Sequence, residues 1–463
     1  MSFESPLRLP LISKLAPRAN NLLTDARLVN AIAEPDDNTK EWNIRKRFGY
    51  ALAETPAANA AGQGMFGWKG NNYSVFGGVL YQGTTQIATG LDTTNGVYIF
   101  QIVGNNPGYL VLGNGVKAYY YDGETFAQIT SAAFPASFVK GFAYLDSYLY
   151  VMDGHAQIWE STDQDDPRTW TATDMIRAQI EPDAGIALAK QINYVVALKQ
   201  WTTEVFYDAG NANGSSLGSI PGYKQPFGCA SADSLQQMND MLIWASQDQS
   251  NTYQVVQMQG LQTNVVSTPA VERLLQGANF SSCYSQLLKH AGHTIYVLTL
   301  PDSNLTLAYD IPYGLWHIWT DANGNYWPFC AASYLNGYRY LQSPTTGAYY
   351  TFDMDYVYPT DNGTIVPTDI YTPNFDANTD RTKTLSMMRF QGDRTNGSKL
   401  SIRVSDDDFQ NWSNPRVVDF SSALPPILTD CGSFKRRAWH LRHNTGTALR
   451  VRAVDLQLAL SDA

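Results

Sequence analysis

The sequence predicts an all-β chain: a β-propeller-like body of about six blades over residues 61–358, an extended N-terminal arm over 1–60, and a C-terminal β-sandwich over 359–463. Three observations predict it. First, one pattern repeats between Ala61 and Asp353: a strand, a tight polar or glycine turn, a second strand ending in an aromatic, then a link to the next pair. Tyr148-Leu149-Tyr150-Val151-Met152-Asp153-Gly154-His155-Ala156-Gln157-Ile158-Trp159 is its short form. Runs of β-branched and aromatic residues bounded by Gly, Asn, Asp and Pro read as strands. Strand pairs recurring every roughly 40 residues read as propeller blades, each too small to bury its own apolar face. Second, charged residues make up only 16% of the chain and aromatics 13%, with 28 Tyr, which suits a β-rich body with a polar but uncharged surface. Third, beyond the polar stretch Pro359-Thr360-Asp361-Asn362-Gly363, apolar residues alternate with period two at Leu400, Ile402 and Val404, and again at Val454, Leu456 and Leu458. That alternation predicts a separate sandwich.

Taken in order, the arm carries three prolines by Pro17, a turn near Glu34-Pro35-Asp36-Asp37 and the basic triplet Arg45-Lys46-Arg47. Alone it buries too little to be ordered, so it is expected to lie across a neighbouring domain or subunit. Blade 1 runs from Gly64 to Tyr81, with Gly77-Gly78 as its hairpin signal. Blade 2 spans Tyr98 to Phe126, turned by Asn114-Gly115 and Asp122-Gly123. Blade 3 spans Phe142 to about Gln179, and blade 4 spans Ile186 to Tyr207. A polar loop follows, Asp208 to Phe227, of the kind that carries contacts. Blade 5 spans Ser231 to Val266, and Val271 to Gln276 is a short helix candidate. Blade 6 runs from Tyr284 to about Trp319. The pair around Tyr338-Arg339-Tyr340-Leu341 and Tyr349-Tyr350-Thr351-Phe352 makes a half blade or a seventh.

The charge is uneven. The net charge is −10, yet from Arg381 onward 13 Lys/Arg face 8 Asp/Glu, leaving 19 against 34 before it. An acidic body disfavours adhesion to nucleic acid. The four cysteines, Cys229, Cys283, Cys330 and Cys431, show no CxxC spacing, so a structural zinc site is not indicated and buried free thiols are expected. No charged leader precedes an apolar core at the N-terminus, so no signal peptide is expected. No stretch reaches the roughly 18 apolar residues of a membrane helix.

The chemistry the sequence offers is thin. Asp163, Asp165 and Asp166 form one acidic cluster, and Asp406, Asp407 and Asp408 another, neither with EF-hand grammar. Ser405-Asp406-Asp407-Asp408-Phe409-Gln410-Asn411-Trp412 resembles the Asp-box turn of sialidases, with Phe409 where that turn prefers Gly. Ser161-Thr162-Asp163 with Trp170 is a looser relative. In such turns Asp accepts backbone N–H bonds and Trp packs beneath, so the motif shapes a hairpin. His290 with His293, and His440 with His443, lack a third ligand at suitable spacing. Gly214-Ser215-Ser216-Leu217-Gly218 matches the nucleophile-elbow pattern, but Pro221 and Gly222 follow where that elbow needs a helix. No catalytic residue, cofactor or metal is therefore assigned. The one partner-binding candidate is the basic set Lys435, Arg436, Arg437, Trp439 and Arg442 on a strand edge, weighed against an ordinary solvated face.

Several pieces, in this order, resemble the packaged-DNA stabilisation proteins of short-tailed phages, the family that forms the tail hub or nozzle. They are Leu28-Val29-Asn30-Ala31; Asp153-Gly154 with Ile158-Trp159; Asp165-Asp166-Pro167-Arg168-Thr169-Trp170; Ala178-Gln179-Ile180-Glu181-Pro182-Asp183; Thr203-Glu204-Val205-Phe206-Tyr207; Gln225-Pro226-Phe227-Gly228-Cys229-Ala230; and Lys435-Arg436-Arg437-Ala438-Trp439 before Leu449-Arg450-Val451-Arg452. The resemblance implies a non-enzymatic virion protein, assembled in the host cytoplasm as a ring of six copies below the portal and its adaptor ring. It implies that the ring continues and seals the DNA channel, touching genomic DNA only transiently and non-specifically. It also implies docking surfaces for tailspikes or fibres and for a needle or plug. The competing reading is a glycan-binding or sialidase-like propeller. That reading needs converging arginines, and the stretch from Ala61 to Asp353 holds only Arg168, Arg177, Arg273 and Arg339.

Overall fold

The computed structural model describes residues 7–12, 26–35, 42–105, 108–211, 213–352, 360–422 and 424–460. Among these, strand follows strand, and the one α-helix is Pro269–Leu275. Its start is set by Thr268, whose side chain accepts the Val271 N–H, and by proline in the first turn.

Six four-stranded antiparallel meanders stand where the repeated pattern places them: 62–89, 99–128, 143–177, 185–225, 236–265 and 284–318. The first strand of each blade is the innermost, nearest the propeller axis. Middle strands read as unbroken apolar runs because neighbouring blades cover both of their faces. Successive residues of one strand therefore feed two different cores. In Tyr194–Lys199, Val195 and Ala197 join the core shared with blade 3, whereas Val196 and Leu198 join the core shared with blade 5. All four are fully buried. Burying a Val or Leu side chain stabilises by roughly 1.5–3 kcal/mol, so stacking between blades holds the body together. Gly141 shows how closely the blades approach. A Cβ there would stand 2.0 Å from the Leu188 carbonyl oxygen, at a φ of +112°, so no other residue fits without moving the backbone.

The half blade is completed from the other end of the chain. Ala331–Leu335, Tyr338–Gln342 and Tyr349–Phe352 form three strands, and Tyr50–Glu54 adds the fourth, with Tyr349 opposite Glu54 and Phe352 opposite Tyr50. This composite blade packs against blade 1 and so closes the propeller. Buried Gln342 bridges the seam: its Oε1 accepts the Gly64 N–H at 2.7 Å and its Nε2 donates to the Val75 carbonyl at 3.0 Å.

Two further sheets face each other. One orders Ala31–Pro35, Trp42–Lys46, Arg450–Leu460, Lys383–Gly392 and Ile427–Thr429, with Leu7–Arg8 and Ser433–Phe434 pairing at its sides. The other orders Arg27–Val29, Thr368–Tyr371, Ala438–His443, Lys399–Ser405 and Arg416–Asp419. Their facing side chains, among them Met388, Phe390, Ile402, Trp439, Leu441, Val454 and Leu456, share one core. Val29 pairs in parallel with Ile318, so the second sheet continues from blade 6.

The described residues among the first 60 thus do not stand apart as an extended arm. Their described strands sit in both of these sheets and in the closing blade, because each finds an open edge to pair with. Arg45-Lys46-Arg47 lies inside this arrangement. The Arg47 guanidinium holds Asp361 at 2.5 Å and 2.9 Å, with both side chains almost wholly buried. It also donates to Asn30 Oδ1 at 2.9 Å and to the Thr320 carbonyl at 3.0 Å. One side chain therefore joins the N-terminal strands, the end of blade 6 and the segment after 360. The loop expected from Asp208 to Phe227 is shorter than the sequence suggests, since Leu217–Gln225 is the outer strand of blade 4.

Candidate functional site

The innermost strands surround an axial cavity of about 920 Å³. Phe66 and Phe100, from the neighbouring blades 1 and 2, stack on each other in its wall at 5.8 Å between ring centres. Gln236, Gln237 and Asn239 bring amides, while Lys140, Lys289 and Arg339 bring cations, and no carboxylate is among the lining residues. Lys140 is spoken for: its ammonium sits 2.7 Å and 2.8 Å from the Asp233 carboxylate. Burial pushes the Asp233 carboxyl up, and Lys140 offsets part of that. The acidic character of the body is therefore not expressed on the propeller axis. The cavity is also far too small for nucleic acid: the major groove of a duplex alone is about 12 Å wide and 8.5 Å deep. Any passage for DNA has to lie outside a single copy.

The motif candidates resolve into structural roles. In the Asp-box-like turn, Asp407 accepts the Asn411 N–H at 2.9 Å and the Ser405 hydroxyl at 2.8 Å. These bonds, the Asn411 N–H foremost, hold its carboxyl down at about 2. Phe409 takes the glycine position at a φ of +69° and tucks its ring under the turn against Trp412, at 5.8 Å. The strain of a left-handed phenylalanine is offset by that burial. In the looser relative, Thr169 donates to Asp163 at 2.5 Å and the buried Trp170 indole donates to the Pro167 carbonyl at 2.8 Å. Ser216 Oγ meets the Tyr150 hydroxyl at 2.8 Å, its backbone N–H donates to Glu160, and a strand follows it. That is a turn anchor and lacks the geometry of a nucleophile elbow.

The histidines split the same way. His293 bridges Asp310 at 2.5 Å and Glu34 at 3.4 Å, joining blade 6 to the N-terminal strand Ala31–Pro35. Burial pulls its pKa down, but the hydrogen bonds and charges of Asp310 and Glu34 win and lift it to about 9. His290 lies edge-on to Phe48 at 4.1 Å. His440 bonds Asp369 at 2.6 Å and stacks on Tyr371, whose ring also carries Arg27 at 3.6 Å. Among the described residues no group of three or more His, Cys, Asp or Glu could hold a metal ion. The cysteines are free, with Cys229, Cys283 and Cys330 buried and each thiol pushed up to about 12, chiefly by that burial.

One motif conceals a feature that sequence reading missed. Lys199 is wholly buried and touches Asp183 at 2.7 Å and Glu204 at 2.6 Å. Asp183 also receives the Trp201 and Thr202 N–H groups. The spacing of Lys199, flanked by carboxylates in two of the quoted motifs, was the available signal.

The basic set divides. Trp439 is fully buried between the two facing sheets. Arg437 is buried too, paired with Asp406 at 2.6 Å and 2.7 Å and lying over the Phe434 ring at 4.4 Å. Lys435, Arg436 and Arg442 remain exposed, with Arg436 on Asp408 and Arg442 3.8 Å from Asp369. The alternation along Ala438–His443 points Trp439 and Leu441 into the core and leaves only the flanking cations for a partner.

A closed ring of stacked four-stranded blades with a small, largely apolar axis makes this a β-propeller protein. Residues 9–342 match the family described as Bacteriophage P22 Gp10, beta-propeller, and the chain belongs to that family of phage tail structural proteins. No curated protein matches the chain. Among solved structures, the computationally designed Ika8 protein is 12% identical with a TM-score of 0.41, covering 66% of this chain and 100% of its own. U3-55K is 7% identical with a TM-score of 0.42, over 66% and 98%. The WD40 propeller domain of Doa1 is 11% identical with a TM-score of 0.41, over 66% and 98%. No helix among the described residues is long and apolar enough to cross a membrane.

Proposed function

We propose that copies of this chain assemble into a six-membered ring below the portal and adaptor, where the ring continues and seals the DNA channel after packaging and docks tailspikes or fibres and a needle or plug. The observation that carries the reading is the axial cavity. A tail part that passes DNA but whose own axis admits none must form the passage between copies. Its charge suits that role, since residues before Arg381 carry 34 acidic against 19 basic side chains and a phosphate backbone slides past such a wall without sticking. Exposed tyrosines such as Tyr207, Tyr334 and Tyr338 suit interfaces between subunits. No catalytic role enters this proposal. Lys435, Arg436 and Arg442 are the surface through which an acidic neighbour would dock.

The sialidase-like alternative loses its requirement. Of the four propeller arginines only Arg339 lines the axial cavity, while Arg168 pairs with Asp166 at 2.6 Å and Arg273 donates to the Pro269 carbonyl. Electron microscopy of intact virions tests the proposal, with a ring of this chain expected on the tail axis. Stable DNA-filled particles assembled without the chain would overturn it.

A further inference from the structure

Blade 4 carries a triad closed to solvent. Asp183 lies on the link entering the blade, Lys199 ends the strand Tyr194–Lys199, and Glu204 lies on the neighbouring strand Thr203–Asp208. The three side chains are 1%, 0% and 3% exposed in that order. Lys199 Nζ stands 2.7 Å from Asp183 Oδ1, 2.6 Å from Glu204 Oε1 and 2.7 Å from the Glu181 carbonyl oxygen. On the far side of the carboxyl, Asp183 Oδ2 receives the Trp201 and Thr202 N–H groups at 2.8 Å and 3.0 Å. Glu204 Oε1 in turn receives the Ile180 N–H at 3.0 Å. Two carboxylates thus face one ammonium, each fixed separately by the backbone. That is the set a condensation needs. The nitrogen touches one oxygen of the carbon it would attack, donors wait on the other oxygen, and a second carboxylate can carry protons.

We infer that Lys199 and Asp183 join into an amide within the folded chain. The ion pair is the resting state: burial pushes the Asp183 carboxyl up, but the Lys199 contact and the Trp201 N–H outweigh it and hold it below its ordinary value. A proton passing along the 2.7 Å contact from Nζ to Oδ1 gives an uncharged amine and acid. The Nζ lone pair then attacks Asp183 Cγ. Negative charge gathers on Oδ2, where the Trp201 and Thr202 N–H groups meet it. Glu204 takes a second proton from Nζ and passes it to Oδ1. The C–O bond breaks, Oδ1 leaves as water, and Glu204 is a carboxylate again. One C–N bond forms, one C–O bond breaks, and the ammonium's two lost protons depart with the water, so no outside reagent is consumed. Holding the partners together acts as an effective concentration on the order of 10⁵–10⁸ M. Burial keeps water from reversing the step. The link ties the entry of blade 4 to its second strand and does not depend on the ring proposed above.

Denaturing mass spectrometry of the full chain tests this, because unfolding parts an ion pair and leaves an amide intact. Chain purified in its native state and incubated should come to weigh one water less than its sequence. Trypsin should then release residues 178–190 and 191–224 as one branched peptide, uncut at Lys199 and joined through Asp183. Glu204→Gln keeps the shape without carrying a proton, so the folded variant should lose its water about 10²-fold more slowly. Should that variant fail to fold, the wild-type mass and peptide map decide alone. Wild-type chain that keeps its full mass through prolonged incubation would overturn the inference. So would a water lost through another linkage, such as Lys199 to Glu204, which leaves 178–190 free. A loss as fast in folded Glu204→Gln as in the wild type would overturn it too.

Discussion

The contiguous blades and the paired sheets behind them are both antiparallel β, yet they are assembled by opposite rules. A blade takes its four strands from one short stretch, and its pairings are between neighbours in sequence, as in 143–177 or 236–265. The paired sheets collect strands from both ends of the chain: Arg45 lies opposite Arg450, and Arg27 opposite Tyr371. The composite blade stands between the two cases, with three local strands and one that comes from nearly 300 residues away. Local pairing leaves a repeated pattern in the sequence, whereas distant pairing leaves only a lone strand with no visible partner. The two bodies also differ in what holds them. Stacked apolar faces hold the blades, while the border between the bodies adds buried charge at Arg47, Asp361, His293 and Glu34 to the packing of Ile32 and Phe48 against blade 6.

The largest effect that would break this contrast is at Arg47. Arg47→Met strands Asp361 and should cost about 3–5 kcal/mol, as removal of one partner from a buried pair does. Urea unfolding followed by tryptophan fluorescence measures it, and adding Asp361→Leu should recover part of the loss. A small cost would mean that the border is not held by charge.

Next come two tryptophans of equal burial, Trp244 in blade 5 and Trp439 between the paired sheets. Each change to Ala should cost roughly 3–5 kcal/mol. If the bodies are separate cooperative units, calorimetry will show each variant lowering a different transition. A single transition lowered by both would show that the border couples them fully.

His293 gives a pH dependence with a definite sign. Its pKa in the folded chain, about 9, lies above the ordinary histidine value. The stabilisation it supplies is therefore complete below the unfolded value of about 6.5 and is lost as pH rises through about 9, an effect of about 1–3 kcal/mol. Melting temperatures measured across that window should fall for the wild type and flatten for His293→Gln. The charged groups facing His293 are Asp310 and Glu34, the latter 3.3 Å from the Arg45 guanidinium.

The smallest effect is on the exposed cations. Arg436→Ala with Arg442→Ala should change stability by no more than about 0.5 kcal/mol each. Under the proposed function these changes should still reduce tail assembly in a virion reconstitution. Unimpaired assembly would remove this edge from the docking surface.

Legibility in the sequence followed the same divide. The runs around Val195-Val196-Ala197-Leu198 and Leu242-Ile243-Trp244-Ala245 reveal their blades because both faces are buried. Gly77-Gly78 marks its hairpin because both residues sit at positive φ, +54° and +75°. Tyr50–Glu54 was not legible as a blade strand, since nothing near it in sequence names Tyr349–Phe352 as its partner. The basic edge misled in part. Alternation told that Arg437, Trp439 and Leu441 share a side, but a sheet with a second sheet over it hides that side.

The closing strand has a consequence for how the protein is made. Tyr50–Glu54 leaves the ribosome early, and its partner Tyr349–Phe352 follows almost 300 residues later. At about 5–20 residues per second, the strand waits on the order of 15–60 s with an unpaired edge. Throughout that interval the open edge can pair with a strand of another chain, and a slow codon anywhere between the two stretches lengthens that exposure.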